Sequence, residues 1–227
     1  MNTPGLTPIR RVPVGLEIRD ARIGDADEIG QLLAAGLGDK YGPAYGRYAV
    51  EAISAIARAA TEQQGAGRYL VASCDGACAG VAFLGTDGHG TAVMRPLVSA
   101  LGPLRAARAA IVLSAFAKGR PAQGEATLDE LAVSDRYRRR GIGRALIEEC
   151  ARLGRIAGCR RLGLWVTGDN ESAQALYRAM GFHVAQRRSW PTGRLLFGAK
   201  GALRMELDLQ QEPLGGSEHG TRRPPQE

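Results

Sequence analysis

Lysine is nearly missing from this 227-residue chain. Lys40, Lys118 and Lys200 stand beside 27 arginines, so the net charge of +7 is carried almost wholly by guanidinium groups. Such a surface attracts anionic partners and says nothing about fold. Aromatic residues are also scarce, at 5%, and nowhere interleave with bases as a nucleic-acid stacking platform would, so nucleic acid is not an expected partner. The four cysteines, Cys74, Cys78, Cys150 and Cys159, have no second Cys-x-x-Cys and no neighbouring histidine, which speaks against a zinc site, and no metal is expected. No apolar run is long enough to cross a bilayer, the stretch Ala109–Ala117 included, and the first residues carry no apolar signal segment. A cytoplasmic protein with reduced thiols and no membrane partner is expected.

What remains is enough apolar sequence, 44%, for one domain with a sizeable core. Residues 1–15 are rich in proline and glycine and read as a flexible leader. From residue 210 apolar residues nearly vanish, which predicts a disordered tail over 210–227. Between them, Leu16–Ala21 reads as a strand, and Asp25 with Glu28 as a capping box opening a helix. A second helix is expected over Ala44–Gln63. Asp75-Gly76 between Arg68–Cys74 and Ala77–Leu84 is a strong hairpin signal, and a short strand is expected near Thr91–Met94. Residues 95–118 form an apolar insertion that Gly102-Pro103 breaks into two helical pieces. So many apolar residues need either the core or a partner, which leaves a lid, a wall or a homodimer contact open. Phe182–Trp190 and Ala202–Leu209 read as two closing strands.

The stretch Leu128–Gly154 organises the chain. A strand pattern ending in Leu131-Ala132-Val133 runs through a polar turn into Arg138-Arg139-Arg140-Gly141-Ile142-Gly143-Arg144, then into an amphipathic helix with Ile142, Leu146, Cys150 and Leu153 on one face. Two glycines in a first helical turn oppose helix propensity and let something approach the backbone closely. The unpartnered first N–H groups, the helix dipole and flanking arginines together make a cradle for a phosphate or diphosphate.

Arg138-x-x-Gly141-x-Gly143 after that strand resembles the acyl-CoA signature of the GNAT N-acetyltransferase superfamily. A second block, Leu164–Phe182, adds a strand, Asn170, a helix with Leu176-Tyr177, and Gly181-Phe182, and is similar to the superfamily's other hallmark. The resemblance covers about Leu16–Leu209. It implies an α/β (α+β) GNAT fold, a mixed central β-sheet of six to seven strands flanked by helices on both faces, here with an extra helical insertion before the central strand. It implies acetyl-CoA as acyl donor and a primary amine of a small molecule or a peptide as acceptor, attacked directly. Arg138, Arg139, Arg140, Gly141, Ile142, Gly143 and Arg144 would hold the diphosphate. The backbone of Leu131, Ala132 and Val133 would pair with the pantetheine amides like an added strand. Asn170 would bond the cofactor, cap its helix, or both, and Tyr177 would contact the cofactor and protonate the departing thiolate.

The residue that takes the acceptor's proton is less plain. Thr127, Asp129 and Glu130 precede the Leu131–Val133 strand end, and Thr127 cannot act as a base at neutral pH. Simple alternation places Asp129 with Thr127 and turns Glu130 to the other face. The resemblance puts Thr127 and Asp129 where related enzymes carry their bases, which leaves Asp129 and makes Glu130 the control; a β-bulge would swap the two faces. His89, His183 and His219 fall outside both blocks. Two other classes compete: a non-catalytic acyl-CoA sensor on the same fold, and a dinucleotide-binding oxidoreductase. The second fails because Gly141-x-Gly143 is followed by Leu146 where that fingerprint needs a third glycine.

Overall fold

Seven strands of alternating apolar character pair into one sheet in the order β1-β2-β3-β4-β5-β7-β6. The computed structural model describes residues 13, 15–63, 67–86, 93–114, 122–189 and 201–210. The strands are β1 (Leu16–Asp20), β2 (Arg68–Cys74), β3 (Ala77–Gly85), β4 (Glu125–Val133), β5 (Arg161–Thr167), β6 (His183–Ser189) and β7 (Gly201–Asp208). Neighbours are antiparallel except β4 and β5, which run parallel at the centre. The expected hairpin joins β2 to β3, and Asp75 and Gly76 both take positive φ, 51° and 80°, as its two central residues must.

Helices cover both faces. One side carries α6 (Ile142–Ile156) and α7 (Glu171–Ala179). Ile142, Leu146, Ile147 and Cys150 interlock there with Leu70, Leu84, Leu128 and Leu162. The other side carries α1 (Ala26–Gly36), α2 (Gly38–Tyr45), α3 (Ala49–Gln63), α4 (Met94–Leu101) and α5 (Pro103–Ser114). Ile29, Leu33 and Ile53 pack there with Tyr69, Val71, Val81 and Phe83. The insertion is thus a helical pair. Leu97, Leu101, Ala106 and Ala109 are buried in this second core, while Met94, Val98, Leu104 and Ile111 face out.

Several expectations are corrected. The helix expected over Ala44–Gln63 is two helices, α2 and α3, separated at Gly46, whose φ of 55° is a conformation glycine adopts freely. Asp25 does not make a capping box with Glu28: its carboxylate accepts from the Arg19 guanidinium (2.6 and 3.0 Å) and the Arg22 N–H (2.6 Å). The Arg19 hydrogen bond holds the Asp25 carboxyl below its ordinary range. Met94 opens α4, so no strand includes it. Thr91, Phe116 and the loop at Pro191–Gly193 lie outside the described residues, as do all but two leader residues and the tail beyond Gln210.

One irregularity governs the rest. The β3–β4 register shifts between Phe83 and Leu84, because Phe83 faces Glu130 while Leu84 faces Leu128. Asp129 is the extra residue of a β-bulge, which bends and over-twists its strand. Directly after it β4 parts from β5: ladder pairing covers Glu125–Leu128 against Arg161–Leu164, although β4 runs on to Val133 and β5 to Thr167.

The core assignment predicts a contrast between two leucines. Leu146, fully buried between α6 and the sheet, should cost about 2–5 kcal/mol when changed to alanine. Leu104, 86% exposed on α5, should stay within about 0.5 kcal/mol. Urea midpoints for Leu146→Ala and Leu104→Ala measure both.

Candidate active site

The split between β4 and β5 leaves the β5-facing edge of residues 131–133 without a strand partner among the described residues. Backbone groups so placed are a template for an extended, amide-bearing ligand. Leu131 and Val133 turn their side chains to the α6 side and Ala132 is buried under α1, so what this segment offers the opening is backbone.

At the end of that edge the chain turns into α6. Arg139 and Gly141 both adopt the left-handed conformation, φ 64° and 84°, and α6 starts at Ile142 with Gly141 as N-cap and no side-chain cap. Its first-turn N–H groups therefore form an anion-binding end. Ile142 spends its side chain on the core, leaving only its backbone for a ligand. A Cβ added at Gly143 would meet only ordinary contacts, Leu176 Cδ2 at 3.6 Å and Val133 Cγ2 at 3.7 Å. Nothing in the fold itself therefore requires glycine there. The same distances show that the end of β4, the first turn of α6 and the middle of α7 converge at one point.

The arginines differ in what they do. Arg138 pairs with Asp135 at 2.7 Å and its Nε donates to the Val133 carbonyl at 3.3 Å. Arg140 lies over the Tyr137 ring, 5.6 Å from its centroid. Arg144 contacts Glu148 at 3.5 Å and donates to the Ala179 carbonyl at 3.4 Å, tying α6 to α7. Asn170 is a helix cap: its Oδ1 accepts from the Ala173 N–H at 3.0 Å and from the Ser172 hydroxyl at 3.1 Å. Tyr177 is buried on α7, its ring 5.6 Å from that of Phe182, and burial pushes its hydroxyl up to about 12.

The carboxylates are arranged differently from simple alternation. The bulge turns Glu130 to the same side as Thr127 and Asp129, the α1–α3 side, so the two acids are not on opposite faces. Thr127 donates to Asp129 Oδ2 at 3.2 Å. Glu130 is the centre of a cluster spanning β2, β4 and α2. Tyr41 donates to its Oε1, Tyr69 donates to its Oε2 at 3.0 Å, and Lys40 Nζ lies 3.4 Å from Oε1. Tyr41 stacks on Tyr45 (5.6 Å) and Tyr69 on Phe83 (4.7 Å). Burial first, and then the Glu130 charge, push the Tyr41 and Tyr69 hydroxyls well above their ordinary range, which keeps them protonated as donors. The insertion buttresses this cluster, since α5 packs on α2 and Arg108 donates to the Pro43 carbonyl. Tyr41, Tyr69 and Lys40 escaped the sequence reading, because their relation to Glu130 spans 89, 61 and 90 residues. The only local hint was three tyrosines and a lysine in a chain poor in both.

Comparison with known proteins places this geometry. Residues 36–182 match the profile of the Acetyltransferase (GNAT) family. The [Ribosomal protein bS18]-alanine N-acetyltransferase of Escherichia coli K12 is 39% identical over 82 residues, 35% of this chain and 55% of that protein. The chain spans about half the length of the curated relatives it matches. The crystal structure of the E. coli ribosomal-protein-S18-alanine N-acetyltransferase aligns over 89% of this chain and 97% of that one, with TM-score 0.53 and 20% identity. A Bacillus subtilis acetyltransferase in complex with CoA aligns over 85% and 97%, with TM-score 0.52 and 13% identity. At these identities the structural likeness is one of fold.

The buried tyrosines predict alkaline sensitivity. Tyr177 loses its proton near 10 in the unfolded chain and near 12 when folded, so the folded state holds the extra proton in between. Its stabilising contribution is complete below pH 10 and is lost as pH rises toward 12, at about 1.4 kcal/mol per unit. Unfolding free energies measured across that window should fall less steeply for Tyr177→Phe than for the parent.

Proposed function

The chain belongs to the GNAT acetyltransferase family, and from that premise we propose that it transfers an acetyl group from acetyl-CoA to a primary amine of a small molecule or peptide by direct attack. The observation that carries this reading is the parted β4–β5 pair opening onto the uncapped start of α6. An edge that accepts amides and a helix end that accepts a diphosphate, side by side, suit the two halves of CoA. In this reading Leu131–Val133 hold the pantetheine through their backbone, and Gly141–Arg144 hold the diphosphate through theirs. Arg138 and Arg139 add charge at the rim, and Asn170 serves mainly by starting α7. Bound acetyl-CoA supplies the activated thioester.

Direct attack is supported by the state of the thiols. Cys74, Cys150 and Cys159 are buried, and burial pushes Cys78 up to about 11 and Cys150 to about 12. Neither presents a thiolate to carry the acyl group at neutral pH. The acceptor side is read from Glu130. A carboxylate on the α2 side of the opening, ringed by aromatic residues, suits an ammonium that must shed a proton before it attacks. Glu130 takes that proton in this reading, and Asp129 shapes the bulge. Tyr177 on α7 gives a proton to the departing sulfur in the same reading. A relative named for acetylating an alanine of a ribosomal protein makes peptide α-amines the first acceptors to screen. With an ordinary pKa of about 7.7–8.0 they are partly neutral already.

Acetyl-CoA should raise the melting temperature, with linkage of roughly 2.7 kcal/mol at a hundred times its Kd. Gly143→Val should erase that rise without unfolding the protein; a rise of full size in the variant would displace the cradle from α6. On the best amine found, Tyr177→Phe should lower kcat about 10²–10⁴-fold with little change in acetyl-CoA affinity. Glu130→Gln should lose most activity at the pH where the amine is protonated and recover as pH rises, while Asp129→Asn keeps the parent profile. The reverse pattern would return the role to Asp129. Binding without turnover of any amine would favour a sensor.

A further inference from the structure

We propose that Lys40 is an internal acetyl acceptor, so that the protein acetylates its own α2 helix. The inference rests on the acetyl-transfer reading above and adds a substrate within the chain. Arginine stays protonated at any ordinary pH and cannot attack a thioester, so with three lysines among thirty basic residues few internal amines exist. Lys118 and Lys200 lie outside the described residues. Lys40 lies at the Glu130 carboxylate, its Nζ 3.4 Å from Oε1 and 4.6 Å from the centre of the Tyr41 ring. A carboxylate that receives a proton and an aromatic face that holds a cation are what an incoming primary amine needs, and Lys40 already occupies both.

Its place is set by the fold. Gly36, the last residue of α1, packs on β4 so tightly that an added Cβ would stand 2.9 Å from Ala132 Cβ. Four residues later Lys40 projects from the first turn of α2 onto Glu130, the residue that precedes the open backbone edge Leu131–Val133. Successive strand residues advance only about 3.3 Å, so the carboxylate that holds the ammonium belongs to the residue next to that edge. Lys40 and Glu130 are both part-buried, with side chains 28% and 12% exposed, and Tyr41 and Tyr69 hold the carboxylate through Oε1 and Oε2.

The chemistry balances with acetyl-CoA as the only co-reactant. The Lys40 ammonium gives one proton to Glu130 Oε1 and thence to solvent. The neutral nitrogen forms the N–C bond as the C–S bond breaks. Tyr177 protonates the leaving sulfur and is reloaded by the second proton shed from the nitrogen. The products are Nε-acetyl-Lys40, the CoA thiol and one released proton. The new amide carries no charge, so the ion pair with Glu130 is lost while Tyr41 and Tyr69 still donate to the carboxylate.

The test incubates the full chain with acetyl-CoA at several protein concentrations and reads intact mass and peptide maps. One acetyl group should appear on Lys40, with a first-order rate independent of protein concentration. It should be absent in Lys40→Arg and at least about tenfold slower in Glu130→Gln. A second readout needs no acetyl-CoA. After reductive ¹³C-methylation of the lysines, the Lys40 methyl signal should be displaced by the Tyr41 ring and should move to the free-lysine position in Glu130→Gln. Acetyl groups on Lys118, Lys200 or the terminus alone, a rate proportional to protein concentration, or an unchanged rate in Glu130→Gln would each overturn the proposal. If acetyl-CoA stabilises the protein and outside amines turn over while Lys40 stays unmodified, Lys40 alone is refuted. If acetyl-CoA gives no thermal shift, the acetyl-transfer reading falls and Lys40 with it.

Discussion

The bulge at Asp129 is the constraint on which both halves of the site depend. One extra residue on β4, opposite the Phe83–Leu84 step of β3, has two effects that regular pairing could not produce together. It parts β4 from β5, leaving at the centre of the sheet a stretch of β4 edge with no strand partner among the described residues. It also resets the side-chain alternation. Leu131 and Val133 then join the α6-side core, and Glu130 joins the tyrosines under α2. Without the bulge Glu130 would point into the apolar core beside Leu128, where a lone carboxylate is costly.

In the proposed reading each face of the sheet serves one reactant. On one side α6 and α7 meet at the end of β4, where Gly143, Val133 and Leu176 come within ordinary contact of a single point. On the other side α1, α2 and α3 form a wall whose polar content gathers at Glu130. The central opening is where the two sides communicate.

The helical insertion belongs to the acceptor side. α4 and α5 bury Leu97, Leu101, Ala106 and Ala109 against the helices there, and Arg105 lies over the Tyr48 ring at 4.9 Å. With Arg108 on the Pro43 carbonyl, this fastens the eight-residue helix α2. So short a helix has little stability of its own, so the packing that holds α2 also holds Tyr41 and Lys40 in place.

Much of this was legible in the residues alone. The hairpin at Asp75-Gly76, the break at Gly102-Pro103, the amphipathic α6 and the Arg138–Gly143 turn all follow from local rules of backbone conformation and apolar spacing, which act over a few residues. So did the run of Asn170, Tyr177 and Gly181-Phe182, whose order along β5 and α7 is its own signature. The direction in which Glu130 points was beyond such rules. Alternation predicts it only for a regular strand, and whether β4 bulges is decided by its register with β3, some 45 residues earlier. The same holds for Tyr41, Tyr69 and Lys40, whose meeting at one carboxylate exists only once α2 lies across the sheet. Short-range conformational preference thus determined the elements and the donor-side turn. Strand register and helix docking, which are long-range pairings, decided on which side of the sheet Glu130 lies and what surrounds it.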